Sequence, residues 1–155
     1  MDKVKIDWPT IITDSYNLAY KINQSLGRPE VLVFLGRGAL MPASIVSNVL
    51  GIKDVFNLGM RSYEGTEQTK TIKIIQNIDD NKFFSNKHVL VLDELSDTGN
   101  TLYMAKNILD KDINVKINYA TLYIKHKTSF IPDVFIKGFD EKIWLDFPWE
   151  SDNIY

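Results

Sequence analysis

Two adjacent carboxylates follow an apolar run near the middle of the chain, and hydroxyl-bearing residues and a glycine come directly after them. The segment reads Val89-Leu90-Val91-Leu92-Asp93-Glu94-Leu95-Ser96-Asp97-Thr98-Gly99-Asn100-Thr101. Gly99 lets backbone N–H groups approach an anion closely, and a helix that begins here would point its positive end at the same place. Ser96, Thr98 and Thr101 can donate hydroxyl hydrogen bonds. These residues predict a phosphate-binding loop.

The carboxylates of Asp93 and Glu94 suit a different ligand, because like charges repel. They are expected to bind hydroxyl groups or a hard cation such as Mg²⁺. An ordinary helix N-cap, formed by Asp97 or Thr98 with Gly99 in the turn, is the structural alternative. That alternative explains one acid and one threonine, but it leaves two acids at the end of a buried strand, where desolvation is costly. We therefore favour a binding site.

The rest of the chain predicts elements that would bring this loop to one edge of a sheet. Periodic apolar residues predict a helix over 8–26, and short apolar runs predict buried strands over 31–35 and 88–93. Further helices are predicted over 42–50 and 101–109, and further strands over 55–60, 71–75, 115–124, 134–136 and 143–145. This alternation predicts an α/β fold, a mostly parallel twisted sheet flanked by helices. Ligands of such sheets bind beyond the carboxyl ends of the strands.

The composition argues against several other classes of protein. The chain has 155 residues, a net charge of −2, no cysteine, and two histidines, His88 and His126. Thiolate catalysis, disulfide scaffolds and cysteine- or histidine-rich metal centres are therefore not expected. The balance of charges argues against nucleic-acid binding through a basic surface. No apolar run reaches the roughly 18 residues that a membrane helix needs, and the N-terminus lacks a signal-type apolar segment. We expect a cytoplasmic protein without nucleic-acid or membrane partners.

A second candidate site follows the first buried strand, in the segment Leu35-Gly36-Arg37-Gly38-Ala39. The two glycines leave backbone amides accessible, and the guanidinium of Arg37 can bind phosphate oxygens. Gly-x-Gly is a weak signal, so a plain strand-to-helix turn with a solvated arginine explains these residues equally well when they are taken alone.

Three other features of the sequence are candidates for a functional role, but each also has a plain structural explanation. The polar segment Arg61–Lys70 has the composition of a surface hairpin. The aromatic segment Trp144–Glu150 has the pattern of an edge that packs against a sheet. Lys125 follows a predicted strand and could be an ordinary surface lysine. If a lysine in this region has a binding role, Lys127 is the other candidate. His126 between them is expected to be a partly exposed loop residue.

The segment 89–101 resembles the 13-residue signature by which type I phosphoribosyltransferases bind 5-phosphoribosyl 1-pyrophosphate (PRPP). That signature consists of four apolar residues, two acids, two further positions and Asp-Thr-Gly-x-Thr. The resemblance implies that Asp93 and Glu94 hold the ribose hydroxyls together with Mg²⁺. It implies a 5′-phosphate loop with the members Asp97, Thr98, Gly99, Asn100 and Thr101. Ser96 is expected beside them as a phosphate-binding residue on account of its hydroxyl group. Asn100 stands where many members of the family have glycine.

The two segments nearer the N-terminus resemble other parts of the same family. Arg37 and Gly38 lie in what resembles its pyrophosphate loop, and the resemblance implies a cis peptide bond between Gly36 and Arg37. Ala39 replaces the second glycine of the common Arg-Gly-Gly. The segment that contains Ser62, Tyr63 and Lys70 resembles the mobile hood that closes over PRPP and excludes water. Whether Lys70 or Lys73 reaches the pyrophosphate is left open.

The C-terminal segment resembles the Trp-x-x-x-Pro-Trp-acid ending of the xanthine–guanine type of phosphoribosyltransferase. The resemblance implies that Trp144 stacks on a purine. It also implies that the carbonyl of Leu145 and the side chain of Asp146 accept from an exocyclic 2-amino group. Lys125 matches the purine-reading lysine of the family. An ammonium group only donates, so Lys125 favours a 6-oxopurine over adenine.

The resemblance spans about residues 30–150 and implies one phosphoribosyltransferase domain over 1–155. A small C-terminal hood is expected from about 125–155, with the N-terminus as a further candidate contributor, and no appended regulatory domain is expected. The implied reaction joins PRPP to guanine, hypoxanthine or xanthine with Mg²⁺, with Asp97 as the candidate general base, in a homodimer or homotetramer. Two alternatives stay open: a type I enzyme for another base, and a non-catalytic regulatory protein that binds PRPP or a nucleotide.

Overall fold

A central sheet of six strands organises the computed structural model, which describes residues 2–64, 70–79 and 81–150. Its strands are β2 (Val31–Gly36), β3 (Asp54–Glu64), β4 (Lys70–Gln76), β5 (His88–Ser96), β6 (Lys116–Lys125) and β7 (Val134–Phe139). They lie in the order β4-β3-β2-β5-β6-β7. All neighbours pair in parallel except β3 and β4, which form an antiparallel hairpin. The predicted mostly parallel α/β fold is confirmed.

A second, two-stranded sheet lies apart from the first. It consists of β1 (Asp2–Lys5) and β8 (Ile143–Asp146), which pair in parallel so that Lys3 lies opposite Trp144. Sequence analysis missed β1, because four mostly exposed residues that include three charges carry no strand signal of their own. The first residues of the chain are therefore attached to the strand that carries Trp144.

Three helices cover the two faces of the central sheet. α1 (Trp8–Leu26) and α2 (Leu40–Leu50) pack on one face against Leu32 and Leu90, among other core residues. α3 (Asn100–Leu109) packs on the opposite face against Val89 and its neighbours, near a short 3₁₀ helix over Asn81–Phe84. Because β2 and β5 are covered on both sides, they are continuously apolar, as the sequence indicated.

The helix predicted over 8–26 is confirmed at both ends. Asp7 caps its N-terminus, where its carboxylate accepts from the backbone N–H of Thr10 at 2.9 Å. Pro9 lies in the first turn, where no N–H is needed, and Gly27 ends the helix with a φ of 77°. No helix in the described ranges is both long enough and apolar enough to cross a membrane.

The predicted ends of two strand regions were wrong. The polar loop expected over 61–70 is strand at both of its ends, because β3 continues to Glu64 and β4 begins at Lys70. The strand expected to stop at Asp93 continues to Ser96, since Leu95 and Ser96 still pair with residues of β6. Pairing with a neighbouring strand thus overrides the polar local sequence in both places.

A large-to-small change at Leu90 tests the role of β5 in this fold. Leu90 is fully buried against the layer of α1 and α2. We expect Leu90→Ala to lower the free energy of unfolding by about 2–5 kcal/mol, since it leaves a cavity in the centre of the sheet. Urea denaturation measures the change. Ile113→Ala, at a residue 98% exposed, is the control and should alter stability by less than about 0.5 kcal/mol. A loss at Leu90 no larger than that at Ile113 would contradict this reading.

Candidate active site

The loops that follow β2 and β5 meet at one edge of the central sheet. The two strands are parallel neighbours, so their carboxyl ends lie side by side. Between them is a cavity of about 230 Å³. Its lining brings together most of the residues expected from the two segments, with two from the hairpin: Arg37, Gly38, Ser62, Ile72, Asp93, Glu94, Asp97 and Thr101.

Asp93 and Glu94 form the floor of this cavity. Asp93 is 6% exposed, and its carboxylate accepts from the backbone N–H of Glu94 at 2.9 Å. Burial raises the pKa of the Asp93 carboxyl well above its usual value, and the neighbouring charge of Glu94 raises it further. The Oε2 atom of Glu94 is buried, with no hydrogen-bond partner among the described residues. Buried carboxylate oxygens that lack donors suit a cation or ligand hydroxyls.

The carboxylates of Asp93 and Glu94 fit a Mg²⁺ ion that takes only one or two ligands from the protein. In the described part of the chain, no cluster of three or more His, Asp or Glu side chains is placed to hold a metal ion. Mg²⁺ commonly binds through one or two carboxylates, with water and substrate oxygens completing the shell. Asp93 and Glu94 could supply that number of ligands, so the site fits an ion that arrives with a phosphorylated substrate.

The loop after β2 packs directly against Glu94. A Cβ atom on Gly38 would overlap the Glu94 carboxylate, so any larger residue there would force this carboxylate to move. The bond between Gly36 and Arg37 is cis, as predicted. Gly36 donates its N–H to the side chain of Asn57 on β3 at 2.9 Å. The carbonyl of Arg37 accepts from the N–H of Leu40, so this loop leads directly into α2.

The loop after β5 is held by a turn distant in sequence. Gly99 has a φ of 95°, and a Cβ atom there would lie 2.7 Å from the backbone nitrogen of Phe130. The carbonyl of Thr98 accepts from the hydroxyl of Ser129 at 2.7 Å and from its N–H at 3.0 Å. α3 begins at Asn100, and Thr101 in its first turn lines the cavity. The turn over 128–130 therefore positions the predicted phosphate loop.

Ser96 was expected to bind phosphate, but its hydroxyl group points away from the first cavity and bonds within the protein. It is 1% exposed, donates its hydroxyl to the carbonyl of Phe130 at 2.8 Å, and lies 2.8 Å from the hydroxyl oxygen of Thr128. It does not line the cavity. The reason is that β5 continues through Ser96 and turns this side chain toward β6. Ser96 and Thr128 thus brace the loop from behind, and sequence analysis missed Thr128 and Ser129 because their partners are about 30 residues away.

A second cavity, of about 310 Å³, shares Glu94 and Asp97 with the region of the first. Lys125, Trp144 and Leu145 line its other side. The two cavities therefore meet at the two acids, one toward the phosphate loops and the other toward the aromatic C-terminal segment.

The structure separates the two rival lysines. Lys125 is 5% exposed and lines the second cavity, where its ammonium donates to the backbone carbonyls of Ile143 and Asp140. The side chain of Lys127 is 80% exposed and pairs with Glu141 at 2.7 Å. Lys125 is thus the lysine that faces the cavity.

Trp144 and Asp146 lie on the same strand but have different surroundings. Trp144 is 53% exposed and lines the second cavity. The carboxylate of Asp146 pairs with Lys3 at 3.1 Å, and its carbonyl accepts from the N–H of Ile6 at 2.9 Å. Asp146 does not line the cavity, because the N-terminal strand takes up its polar groups. It holds the hood strand β8 in place.

Glu150 is a site residue to which the sequence assigned no role. It lines the second cavity and also a third, of about 750 Å³, with Arg37, Arg61 and Ser62. Partial burial raises the pKa of the Glu150 carboxyl, the charge of Glu94 adds to this effect, and Arg37 opposes it. The acid at the end of the Trp-x-x-x-Pro-Trp-acid pattern was the signal that could have identified it.

The hairpin of β3 and β4 supplies one wall of the site. Ser62 lines two of the cavities. Tyr63 is 38% exposed, and the ammonium of Lys73 lies 4.8 Å from its ring centre. The side chain of Lys70 and residues 65–69 lie outside the described residues, so the contribution of Lys70 stays a prediction.

The chain is similar to known phosphoribosyltransferases along most of its length. Residues 6–152 match the phosphoribosyl transferase domain family, and the chain belongs to this family. It is 26% identical over 150 residues to the xanthine-guanine phosphoribosyltransferase of Nitratidesulfovibrio vulgaris, covering 97% of this chain and 86% of that one. It is 28% identical to the enzyme of the same name from a Ruegeria species, covering 94% of this chain and 84% of that one.

Solved structures give the same result. The purine phosphoribosyltransferase from Pyrococcus horikoshii superposes with a TM-score of 0.85 at 30% identity, over 100% of this chain and 99% of that one. The xanthine-guanine-hypoxanthine phosphoribosyltransferase from Helicobacter pylori superposes with a TM-score of 0.79 at 29% identity, over 97% and 95% of the two chains. The recognition of the type I phosphoribosyltransferase family from the sequence is confirmed.

The buried carboxyl group of Asp93 is expected to lower the stability of the ligand-free protein at neutral pH. Its raised pKa means that the folded state binds this proton more tightly than the unfolded chain, whose ordinary value is 3.8. The wild type therefore loses stability as pH rises from about 4 through the raised pKa, whereas asparagine does not titrate. We expect Asp93→Asn to raise the Tm of the ligand-free protein at neutral pH by roughly 3 °C or more, since ~1 kcal/mol corresponds to about 2–4 °C.

Thermal unfolding monitored by circular dichroism between about pH 4 and pH 8 measures this effect. The advantage of Asp93→Asn over the wild type should shrink as the pH falls. Asp79→Asn, at an exposed aspartate, is the control and should leave Tm within about 1 °C of the wild type. A variant at Asp93 that is less stable than the wild type throughout this range would contradict the reading of Asp93 as a strained buried acid.

Proposed function

We propose that this protein transfers the 5-phosphoribosyl group of PRPP to a 6-oxopurine with the help of Mg²⁺, and that the products are a nucleoside 5′-monophosphate and pyrophosphate. The observation that carries the proposal is the meeting of two cavities at Glu94 and Asp97. One cavity has the chemistry for a sugar phosphate, and the other has the chemistry for a planar base. Their junction is where the base nitrogen and the anomeric carbon would react.

PRPP is proposed to bind across the loops after β2 and β5. The loop from Asp97 to Thr101 holds the 5′-phosphate through backbone amides and hydroxyls at the start of α3. Asp93 and Glu94 hold the ribose hydroxyls and Mg²⁺, which supplies charge neutralisation at the pyrophosphate oxygens. Arg37 and the amide of Gly38 bind the pyrophosphate. Negative charge increases on that group as it leaves, so a fixed guanidinium there stabilises the transition state more than the ground state.

The purine is proposed to bind in the second cavity. Trp144 offers a ring face for stacking, which orients a flat base. Lys125 donates to the 6-oxo group, and the carbonyl of Leu145 accepts from the opposite edge of the base. Lys125 already satisfies two backbone carbonyls, and it can add a third acceptor because an ammonium has three donors. Adenine would place an amino donor against it and bind poorly.

Asp97 is proposed to act on the proton of the base. It lines both cavities, so its carboxylate lies between the base and the sugar. It accepts the proton at purine nitrogen 7 as the base attacks the anomeric carbon with inversion. Ser62 on the hairpin of β3 and β4 lines one side of the first cavity. The hairpin is proposed to exclude water during the reaction, since water would hydrolyse an exposed ribosyl cation.

The relatives support this assignment of substrates. Proteins named for xanthine, guanine and hypoxanthine align along nearly the whole chain. Lys125 and Trp144 both line the second cavity, and this pair supports a 6-oxopurine over a pyrimidine or adenine as the substrate. The assembly is proposed to be a homo-oligomer, a dimer or a tetramer.

A panel of bases tests the proposed reaction. The wild-type protein is incubated with PRPP, Mg²⁺ and one of guanine, hypoxanthine, xanthine, adenine or uracil, and pyrophosphate release is measured. We expect turnover with at least one 6-oxopurine and at least about 100-fold lower kcat/KM with adenine, since a mismatched donor pair costs ~3 kcal/mol. PRPP binding without pyrophosphate release for any base would instead indicate the regulatory alternative.

The lysine pair supplies a matched test of base recognition. Lys125→Met keeps most of the side-chain volume but removes the donor, so kcat/KM for the best 6-oxopurine should fall by about 10- to 100-fold. Lys127→Met, two residues away, should change it by less than about twofold. Equal losses in the two variants would remove Lys125 from base recognition.

The role of Asp97 is tested by steady-state kinetics. Asp97→Asn preserves shape but cannot accept the proton, so kcat should fall by about 10²- to 10⁴-fold, while the affinity for PRPP changes far less. PRPP binding measured by calorimetry separates the two effects. Unchanged turnover would exclude Asp97 from the mechanism.

A further inference from the structure

A side-chain amide on β3 contacts the loop that follows β2. The Oδ1 atom of Asn57 accepts from the N–H of Gly36 at 2.9 Å. Asn57 lies opposite Phe34 in the pairing of β2 with β3, so its side chain reaches two residues further along β2 to make this bond. Asn57 is half-buried, and a Cβ atom on Gly36 would overlap its carboxamide. The absence of a side chain at Gly36 therefore makes room for the Asn57 amide.

The end of β2 is supported by β3 and less by β5. The pairing of β2 with β5 extends to Phe34, whereas its pairing with β3 extends to Gly36. Arg37 and Gly38 come next, and both line the first and third cavities. β3, with the Asn57 amide, is therefore the strand that holds the chain directly before the residues proposed to bind the pyrophosphate group.

The other side of the same amide contacts the hairpin of β3 and β4. A backbone N–H can only donate, so Gly36 fixes the carbonyl oxygen of the Asn57 amide toward β2 and leaves its NH₂ group for another partner. This group donates to the Oε1 atom of Gln76, the last residue of β4. Asn57 thus joins the hairpin to the loop of Arg37. Leucine offers neither the acceptor nor the donor, and an ionised aspartate offers no donor.

Gln76 occupies a defined place in the hairpin. It lies opposite Gly59, where the register between β3 and β4 shifts. A Cβ atom on Gly59 would lie 2.9 Å from the Cβ of Gln76 and 3.2 Å from its backbone nitrogen, so the two strands pack closely at this point. Beyond the shift, the hairpin carries Ser62 and Ile72, which line the first cavity. Gln76 therefore lies at the base of the part of the hairpin that forms a wall of the site.

We propose that Asn57 is a positioning residue for Arg37 in the reaction proposed above, on which this inference rests. Its amide, held by Gln76, sets the position of Gly36, the residue that precedes Arg37. A guanidinium stabilises a leaving group best when its place is fixed before the reaction. Removal of the amide would leave the Gly36 N–H without its acceptor and would release the loop. The loss should therefore appear in the use of PRPP and not in the binding of the purine, which is proposed to occupy the second cavity.

A second bridging asparagine offers a matched control for a purely structural role. The Oδ1 atom of Asn118 lies 2.8 Å from Nε2 of His88, and its NH₂ group donates to the carboxylate of Asp133 at 3.1 Å. Asn118 is half-buried, as Asn57 is, but it lies near the start of β6, whereas Lys125 at the end of β6 lines the second cavity. The two asparagines therefore make comparable pairs of hydrogen bonds at opposite ends of the sheet.

Hydrogen exchange and steady-state kinetics test the role of Asn57. Asn57→Leu keeps a similar volume but removes both hydrogen bonds, so the Gly36 amide should exchange with solvent at least about tenfold faster, as measured by NMR of the ¹⁵N-labelled protein. kcat/KM for PRPP should fall by about three- to tenfold, the effect of one lost hydrogen bond, while KM for the purine stays within about twofold. Asn118→Leu should lower the urea midpoint by a similar amount and leave kcat/KM for PRPP within about twofold.

The hairpin side of the link is tested at Gln76, with Asn57 unchanged. Gln76 is exposed, so Gln76→Met should fold normally, and because it removes the acceptor it should lower kcat/KM for PRPP by at least about threefold. Gln76→Glu keeps an acceptor for the Asn57 NH₂ group, and salt at about 0.15 M screens its exposed charge. This variant should stay within about twofold of the wild type. Equal kcat/KM values in the two variants would overturn the role assigned to Gln76.

Two further results would overturn the role of Asn57 itself. A Gly36 amide that exchanges equally fast in the wild type and in Asn57→Leu would show that the Asn57 side chain does not hold the loop. An equal loss of kcat/KM for PRPP in Asn118→Leu would show a general effect of stability. Exchange at Gly36 needs no substrate, and calorimetric binding of PRPP replaces the kinetics if no base supports turnover. Failure of the proposed function therefore remains distinguishable from failure of the positioning role.

Discussion

The burial of two carboxylates at the end of β5 is the constraint on which the rest of the site depends. β5 lies at the centre of the sheet between β2 and β6, so Asp93 is largely removed from bulk water and is 6% exposed, at the lining of the first cavity. A carboxyl in such a place prefers its neutral form, as its raised pKa indicates. It becomes favourable as a charged ligand only when a cation or hydroxyl donors arrive. Gly38 leaves room for the Glu94 carboxylate beside Asp93, since a side chain at this residue would displace it.

One short segment connects the phosphate end of the site with the base end. β6 ends at Lys125, which faces the base cavity, and three to four residues later Thr128 and Ser129 brace the loop that contains Thr98. The rigid strand therefore sets the separation between the Lys125 ammonium, proposed to bind the base, and the loop after β5, proposed to bind the phosphate. A shift of β6 would move both groups together, so their separation, which must match a nucleotide, is preserved.

The parts of this structure that were predictable are those whose signal is local. Continuous apolar runs predicted β2 and β5, and the pattern of residues 89–101 predicted the loop after β5 that lines the first cavity, because each depends on neighbours in sequence. The roles of Ser96 and Asp146 were not predictable, because each is decided by a partner far away in the chain, Thr128 for one and Lys3 for the other. β1 could not be found for the same reason, since it is a strand only because β8 lies beside it.

The N-terminal segment joins the base cavity to the helix layer. β1 pairs with β8, and Trp8, the first residue of α1, lies 6.0 Å from Trp149 between ring centres, while Trp149 in turn stacks on Phe147 at 4.9 Å. The strand that carries Trp144 is therefore attached to the start of α1 at one end of the site, and α2 is attached to the pyrophosphate loop at the other. Because these helices pack against each other, movements of the base hood and of the Arg37 loop share one mechanical support. Anything that stiffens this layer should affect both ends of the site, and the shorter connection, from Leu40 to Arg37, should respond more strongly.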